Sequence, residues 1–99
     1  MICALTVRKL KPGTFDEFRA AFMEGESEAP MPSGSQFFMV RNTRDPDEVI
    51  CFGLFDGTLE ELRSSDLYSG YDEQQEKIAP FVDGVGADGM YEVVEHESA

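Results

Sequence analysis

Two apolar runs flank the polar stretch "NTRDPDE" between Phe37 and Phe55. Each run suits a strand, and "DPDE" between them suits a tight turn, with Asp45 and Pro46 in the first two positions of type I geometry. A strand with one wet face alternates apolar and polar residues, and these two do not. Phe37 and Met39 point one way, Phe38 and Val40 the other. Ile50, Phe52 and Leu54 share one side, and Val49, Cys51 and Phe55 the opposite one. Both faces of the hairpin therefore need cover.

The same pattern divides the rest of the chain. "ICALTVRKL" (Ile2 to Leu10) is apolar and β-branched, a strand closed by the turn "KPGT". "TFDEFRAAFMEG" repeats Phe15, Phe18 and Phe22 at helical spacing, with Thr14 and Glu17 placed for a capping box and Gly25 for a C-cap. Glu26 to Gln36 reads as a loop rich in Pro, Ser, Gly and Glu. Thr58 and Glu61 form a second capping box, ahead of a short helix that buries Leu59 and Leu62. "YSGYDEQQEKIAPF" predicts a further helix, with Ser69 as N-cap, a Tyr71, Gln75 and Ile78 stripe, a Glu73–Lys77 pair and Pro80 as its stop. "DGVGADG" reads as a turn-rich connection, and "MYEVVEHE" (Met90 to Glu97) as the last strand.

The order β-α-β-β-α-β, with its second helical region split, predicts an α+β, ferredoxin-like single domain over residues 1–99. Helices cover one face of a four-stranded antiparallel sheet and leave the other bare. A second copy of the chain is the simplest cover for that apolar face, which predicts a homodimer through the sheet face. A 99-residue chain has a modest core of its own, so a shared face also adds burial.

Charge then narrows the partners. Twenty acidic against 8 basic side chains give a net charge of −12, which repels nucleic acid and anionic membrane surfaces. No run approaches membrane-spanning length, the N-terminus does not resemble a secretory signal, and Cys3 and Cys51 lie in apolar runs as free thiols do. These features predict an acidic, cytoplasmic protein, although a Cys3–Cys51 bridge stays open at this stage.

"LTVRKLKPGTFDEF", "FFMVRNTRDPDEVICFGLFDGTLEEL" and "YEVVE" together resemble the dimeric α+β barrel superfamily, most nearly its antibiotic biosynthesis monooxygenase-like domains, with NIPSNAP-type proteins as neighbours. The shared pattern is a first strand, a "PG…F" turn into a Phe-rich helix, a hairpin, and a short helix after the third strand. The resemblance implies a dimeric α+β barrel with a pocket between sheet and helices in each subunit. It does not imply a reaction, because the superfamily holds cofactor-independent oxygenases, haem-degrading enzymes, decarboxylases and dismutases.

The residues narrow the chemistry. The haem-degrading branch uses an asparagine, a tryptophan and a histidine; this chain has no Trp, its Asn42 lies at a hairpin end, and Thr6 falls near the asparagine position. His96 stands among Glu95 and Glu97 near the C-terminus and reads as an exposed terminal side chain. No His/Cys spacing supports zinc, so no metal or other cofactor is expected. "GVGADG" matches G-x-G-x-x-G but lacks the strand before and helix after that a dinucleotide needs. Ser64 and Ser65 have no base in a recognisable motif, and Cys51 has no cationic sequence neighbour to activate it.

What remains is an aromatic interior. Phe18, Phe22, Phe38, Phe52, Tyr68, Tyr71 and Phe81 are pocket candidates, and Arg19 or Arg41 could supply a cation for an anionic or phenolic ligand. Plain core packing is the competing role for each Phe. Two functions are carried forward: a homodimer binding a small apolar or aromatic molecule, with cofactor-independent oxygenation of a phenol or quinol as its reaction, and a non-catalytic dimeric ligand-binding or accessory protein.

Overall fold

The computed structural model describes residues 1–24, 34–64 and 71–99. In chain order the elements are β1 (Ile2–Leu10), α1 (Phe15–Glu24), β2 (Gln36–Arg41), β3 (Glu48–Phe55), α2 (Leu59–Arg63), α3 (Tyr71–Ile78) and β4 (Val82–Glu92). A 3-10 turn, Ala79–Phe81, carries Pro80 and ends α3 as expected. The strands form one antiparallel sheet in the order β2-β3-β1-β4. This is the α+β ferredoxin-like arrangement, with the second helical region split.

Register fixes the faces. Thr6 pairs with Cys51 and Arg8 with Val49 across β1 and β3, and Met39 pairs with Cys51 across β2 and β3. With the two-residue alternation of strands, Ile2, Ala4, Thr6, Arg8 and Leu10 share a side with Val49, Cys51, Gly53 and Phe55. That side carries the core: Leu10, Phe18, Phe22, Val49, Cys51 and Ile78 are buried together, with Phe15, Met39 and Phe81 packed against them. Cys3, Leu5, Val7, Ile50, Phe52 and Leu54 face the other way and are half-buried, and Phe38 and Val40 beside them are exposed. Neither hairpin strand follows a simple wet/dry alternation, for the reason its sequence gives. Cys3 and Cys51 are both free thiols and lie on opposite faces, which excludes a bridge between them.

The turns follow their chemistry. Glu48 N–H donates to the Asp45 carbonyl at 3.1 Å and Asp47 N–H to Asp45 Oδ1 at 3.1 Å, so the hairpin turn is locked by its own Asp. Gly13 takes φ 75° in "KPGT", a backbone conformation that side chains with a Cβ resist. At α2 the capping box is complete: Thr58 accepts from Glu61 N–H, and the Glu61 side chain accepts from Thr58 N–H. At α1 the Thr14 hydroxyl does something else, donating to the Lys11 carbonyl at 2.7 Å with the Phe81 carbonyl 3.4 Å away as a weaker alternative acceptor. It thereby ties the helix start to the chain leading into β4.

Several expectations need correction. "DGVGADG" is strand, not connection, because β4 starts at Val82 and pairs with β1 through two register shifts, Thr6/Arg8 and Lys9/Leu10. Glycines inside a strand often mark such irregular pairing. The strand also ends at Glu92 rather than Glu97, because Glu92 lies opposite Ile2, where β1 begins. One further bond follows, Val93 N–H to the Met1 carbonyl at 2.9 Å. Leu62 is buried but Leu59 only half so, and among the described residues Lys9–Asp45 is the ion pair formed, so Glu73 and Lys77 do not close one. Gly25 as a C-cap, Ser69 as an N-cap, Ser65, and residues 26–33 of the first loop lie outside the described residues.

Candidate functional site

The helix side of the sheet holds one group that does not belong in a core. Arg8 sits between Thr6 and Leu10 on β1 and is only 3% exposed. Two-residue alternation forces it there, because Leu10 and Ile2 of the same parity are core. Its guanidinium carbon lies 5.9 Å from the ring centroids of both Phe18 and Phe22, at the outer range of a cation–π contact. Its Nη2 donates to Gln75 Oε1 of α3 at 3.4 Å, a long bond. Among the described residues, Arg8 Nη1 and Gln75 Nε2 are buried without a hydrogen-bond partner.

The surroundings are apolar with a polar rim. Phe18 and Phe22 are 5.9 Å apart on α1, and Phe22 stacks on Phe37 of β2 at 5.5 Å. Gln74 Nε2 donates to the Phe22 carbonyl at 3.0 Å and links α3 to α1. At the rim, Thr6 Oγ1 donates to Asp88 Oδ1 of β4 at 2.9 Å. Toward the Ile2–Phe55 end of the sheet the side chains on this face are small, because Ala4 and Gly53 are cross-strand partners, and both are half-buried.

Two neighbours of Arg8 titrate abnormally. Burial pushes the Cys51 thiol up to about 11, opposed by the charge and hydrogen bond of Arg8. Tyr71, in the first turn of α3, is raised by burial and by Asp88, with Arg8 pulling the other way. Neither is therefore an anion at neutral pH, and Cys51 is no activated nucleophile.

The sequence-predicted candidates divide. Phe18, Phe22 and Tyr71 gather around Arg8. Phe38 and Phe52 stack on each other at 4.9 Å on the opposite face of the sheet, so they share no cavity with the first group. Arg41 lies over Phe15 at 4.5 Å and is exposed at the β2 edge, and Arg19 is exposed on α1. Phe81 packs against the core, and Tyr68 lies outside the described residues. Sequence reasoning missed Arg8 and treated Gln75 only as part of a stripe. The signal was present: in a strand dry on both sides, one of the adjacent pair Arg8 and Lys9 has to face the helices.

Other motifs carry no chemistry here. "GVGADG" is strand with strand on either side, which is no phosphate cradle, and His96 is exposed beyond the last paired residue. Among the described residues no three His, Cys, Asp or Glu come together to hold a metal ion, and no helix is long and apolar enough to cross a membrane.

No protein-family model and no curated protein matches the sequence. Solved structures do match in shape. An antibiotic biosynthesis monooxygenase-like protein from Nitrosomonas europaea superposes with a TM-score of 0.73 at 12% identity, over 96% of this chain and 100% of that one. A second from Chloroflexus aurantiacus gives 0.70 at 17% identity, over 98% and 96%. An uncharacterized NIPSNAP domain protein from Burkholderia xenovorans gives 0.62 at 10% identity, over all of both chains. At these identities the likeness is one of fold, and the fold is the one that the sequence resemblance implied: that of the antibiotic biosynthesis monooxygenase-like and NIPSNAP-domain structures.

Proposed function

We propose that the chain is a cytoplasmic homodimer that takes a small apolar or aromatic molecule between sheet and helices, and that its reaction is cofactor-independent oxygenation of a phenol or quinol. The observation that supports the binding role is the half-buried Ala4–Gly53 pair, next to Phe37 and on the same face of the sheet as Arg8. A sealed core would have large side chains there. The dimer is supported by the bare apolar face of Leu5, Val7, Phe38, Val40, Ile50, Phe52 and Leu54, and the resemblance implies the same assembly. A cytoplasmic setting fits two free thiols.

In the proposed reaction the substrate anion itself reduces O2. One oxygen atom enters the ring at a carbon bearing hydrogen, the ring is oxidised to the quinone level, and the other oxygen leaves as water. The protein binds the substrate, stabilises its anion and excludes bulk water. The non-catalytic alternative has one observation in its favour: Cys51 and Tyr71 beside Arg8 are both held in their neutral forms, which leaves the site few groups that move protons.

The test is native mass spectrometry of the purified protein, followed by oxygen uptake with a panel of phenols and quinols. Bound small-molecule mass on a dimer, with substrate-dependent O2 uptake and quinone formation, is expected. A ligand-bound dimer without O2 uptake decides for the accessory role. A protein that binds none of the panel refutes the pocket.

A further inference from the structure

We infer that Arg8 and Gln75 form a receptor for one anionic oxygen, a phenolate or carboxylate at the end of an otherwise apolar ligand. The inference rests on the pocket reading above and deepens it by naming the group that is recognised and the residues that recognise it.

A guanidinium is always ionised, and burying it without an anion is strongly unfavourable. Arg8 is buried, yet what faces it is a neutral amide carbonyl at 3.4 Å, the neutral Cys51 thiol and two ring faces at 5.9 Å. The carboxylate across the strand pair, Asp88, is held instead by the Thr6 hydroxyl at 2.9 Å. Other titratable groups in electrostatic reach are Cys51 on β3 and Tyr71 on α3, and α1 presents Phe18 and Phe22. Cys51 and Tyr71 are neutral at neutral pH, and the Asp88 carboxylate makes its hydrogen bond to Thr6 rather than to the guanidinium.

The geometry then selects the ligand. Gln75 turns its carbonyl to Arg8 Nη2, which leaves its Nε2 and Arg8 Nη1 as buried N–H groups without a partner among the described residues. Both unmet groups are donors, so the complementary group is an acceptor. A neutral acceptor would satisfy the hydrogen bonds but leave the charge, and an anionic oxygen satisfies both. The Phe22–Phe37 stack beside it suits an aromatic body. A net charge of −12 disfavours ligands carrying several negative charges, which leaves a monoanion.

Isothermal titration calorimetry tests this with matched pairs: 4-nitrophenol against 4-nitroanisole, and benzoate against benzamide, at a pH where the phenol is ionised. The wild-type dimer is expected to prefer the anion in at least one pair, and which pair it prefers tells phenolate from carboxylate. Arg8→Met keeps an apolar stem of similar length and is expected to weaken that anion by about ten- to a hundredfold, the range for hydrogen bonds to charged groups, while leaving its neutral partner unchanged. Gln75→Glu sets a carboxylate on the guanidinium and is expected to block the anion similarly. It remains informative should Arg8→Met fail to fold by circular dichroism. Equal binding of anion and neutral partner, unmoved by either substitution, overturns the anion receptor and leaves the pocket standing. Binding of neither member of either pair overturns both.

Discussion

Phe38→Asp is expected to dissolve the proposed dimer without unfolding the protomer. Phe38 is 40% exposed on the face away from the helices, stacked on Phe52 at 4.9 Å. A phenylalanine presents roughly 200 Å², so about 80 Å² of ring awaits cover. At about 25 cal/mol per Å² that is about 2 kcal/mol per copy. A two-fold interface holds two copies, hence about 4 kcal/mol, close to a thousandfold in dissociation constant. An aspartate adds the cost of placing a carboxylate in an apolar seam, so this is a lower bound. Because Phe38 lies opposite Phe18, Phe22 and Val49, the helix-side core is untouched and the far-ultraviolet spectrum should not change. Sedimentation equilibrium over a concentration series measures the effect, with Arg19→Glu on the exposed side of α1 as a control for added charge. A wild-type chain that is monomeric throughout, or a Phe38→Asp variant whose dissociation constant moves less than tenfold, refutes the sheet-face dimer.

Three further perturbations probe the fold beneath the site. Phe18 is fully buried under Arg8, so Phe18→Ala should cost about 3–5 kcal/mol in urea unfolding, and a loss under 1 kcal/mol, on the order of a surface change, would contradict its place in the core. Thr58→Ala should cost about 1 kcal/mol by removing one half of the α2 capping box, whereas Thr58→Ser should restore most of it. The Cys51 thiol is raised from 9.0 to about 11 in the folded state. Between those pH values the unfolded chain has released this proton and the folded chain has not, so stability must fall as pH rises, by on the order of 2 kcal/mol. Cys51→Ala should flatten that alkaline limb in urea titrations at stepped pH, leaving a smaller slope of the same sign from Cys3 and Tyr71, which are also raised. An unchanged slope would mean that Cys51 ionises in the folded protein as freely as in the unfolded one.

How far the sequence reached depended on whether a residue's local pattern and its tertiary setting agreed. The hairpin was legible because strand alternation is strict and neither strand alternates simply, which forces two covers onto the sheet. The Thr58–Glu61 box was legible because both halves are local in sequence. Thr14 offered the same pattern, yet its hydroxyl turns to the Lys11 and Phe81 carbonyls, and one of those partners is 67 residues away. β4 was misread for a related reason: Gly84, Gly86 and Gly89 argue for turns locally, and only pairing with β1, itself displaced by two register shifts, makes the segment a strand. Phe38 and Phe52 were assigned to the pocket because they are aromatic, although their parity already put them opposite Val49 and Cys51. Arg8 shows the converse. Charge in a strand suggests solvent, and the adjacent Lys9 obeys by pairing with Asp45 at the surface. Adjacent strand residues cannot share a face, so exposing Lys9 drives Arg8 beneath the helices, where composition alone would never place a cation. Local rules found the layers but missed Arg8, although strict alternation along β1, applied to two neighbouring cations, points to the residue on which the proposed chemistry turns.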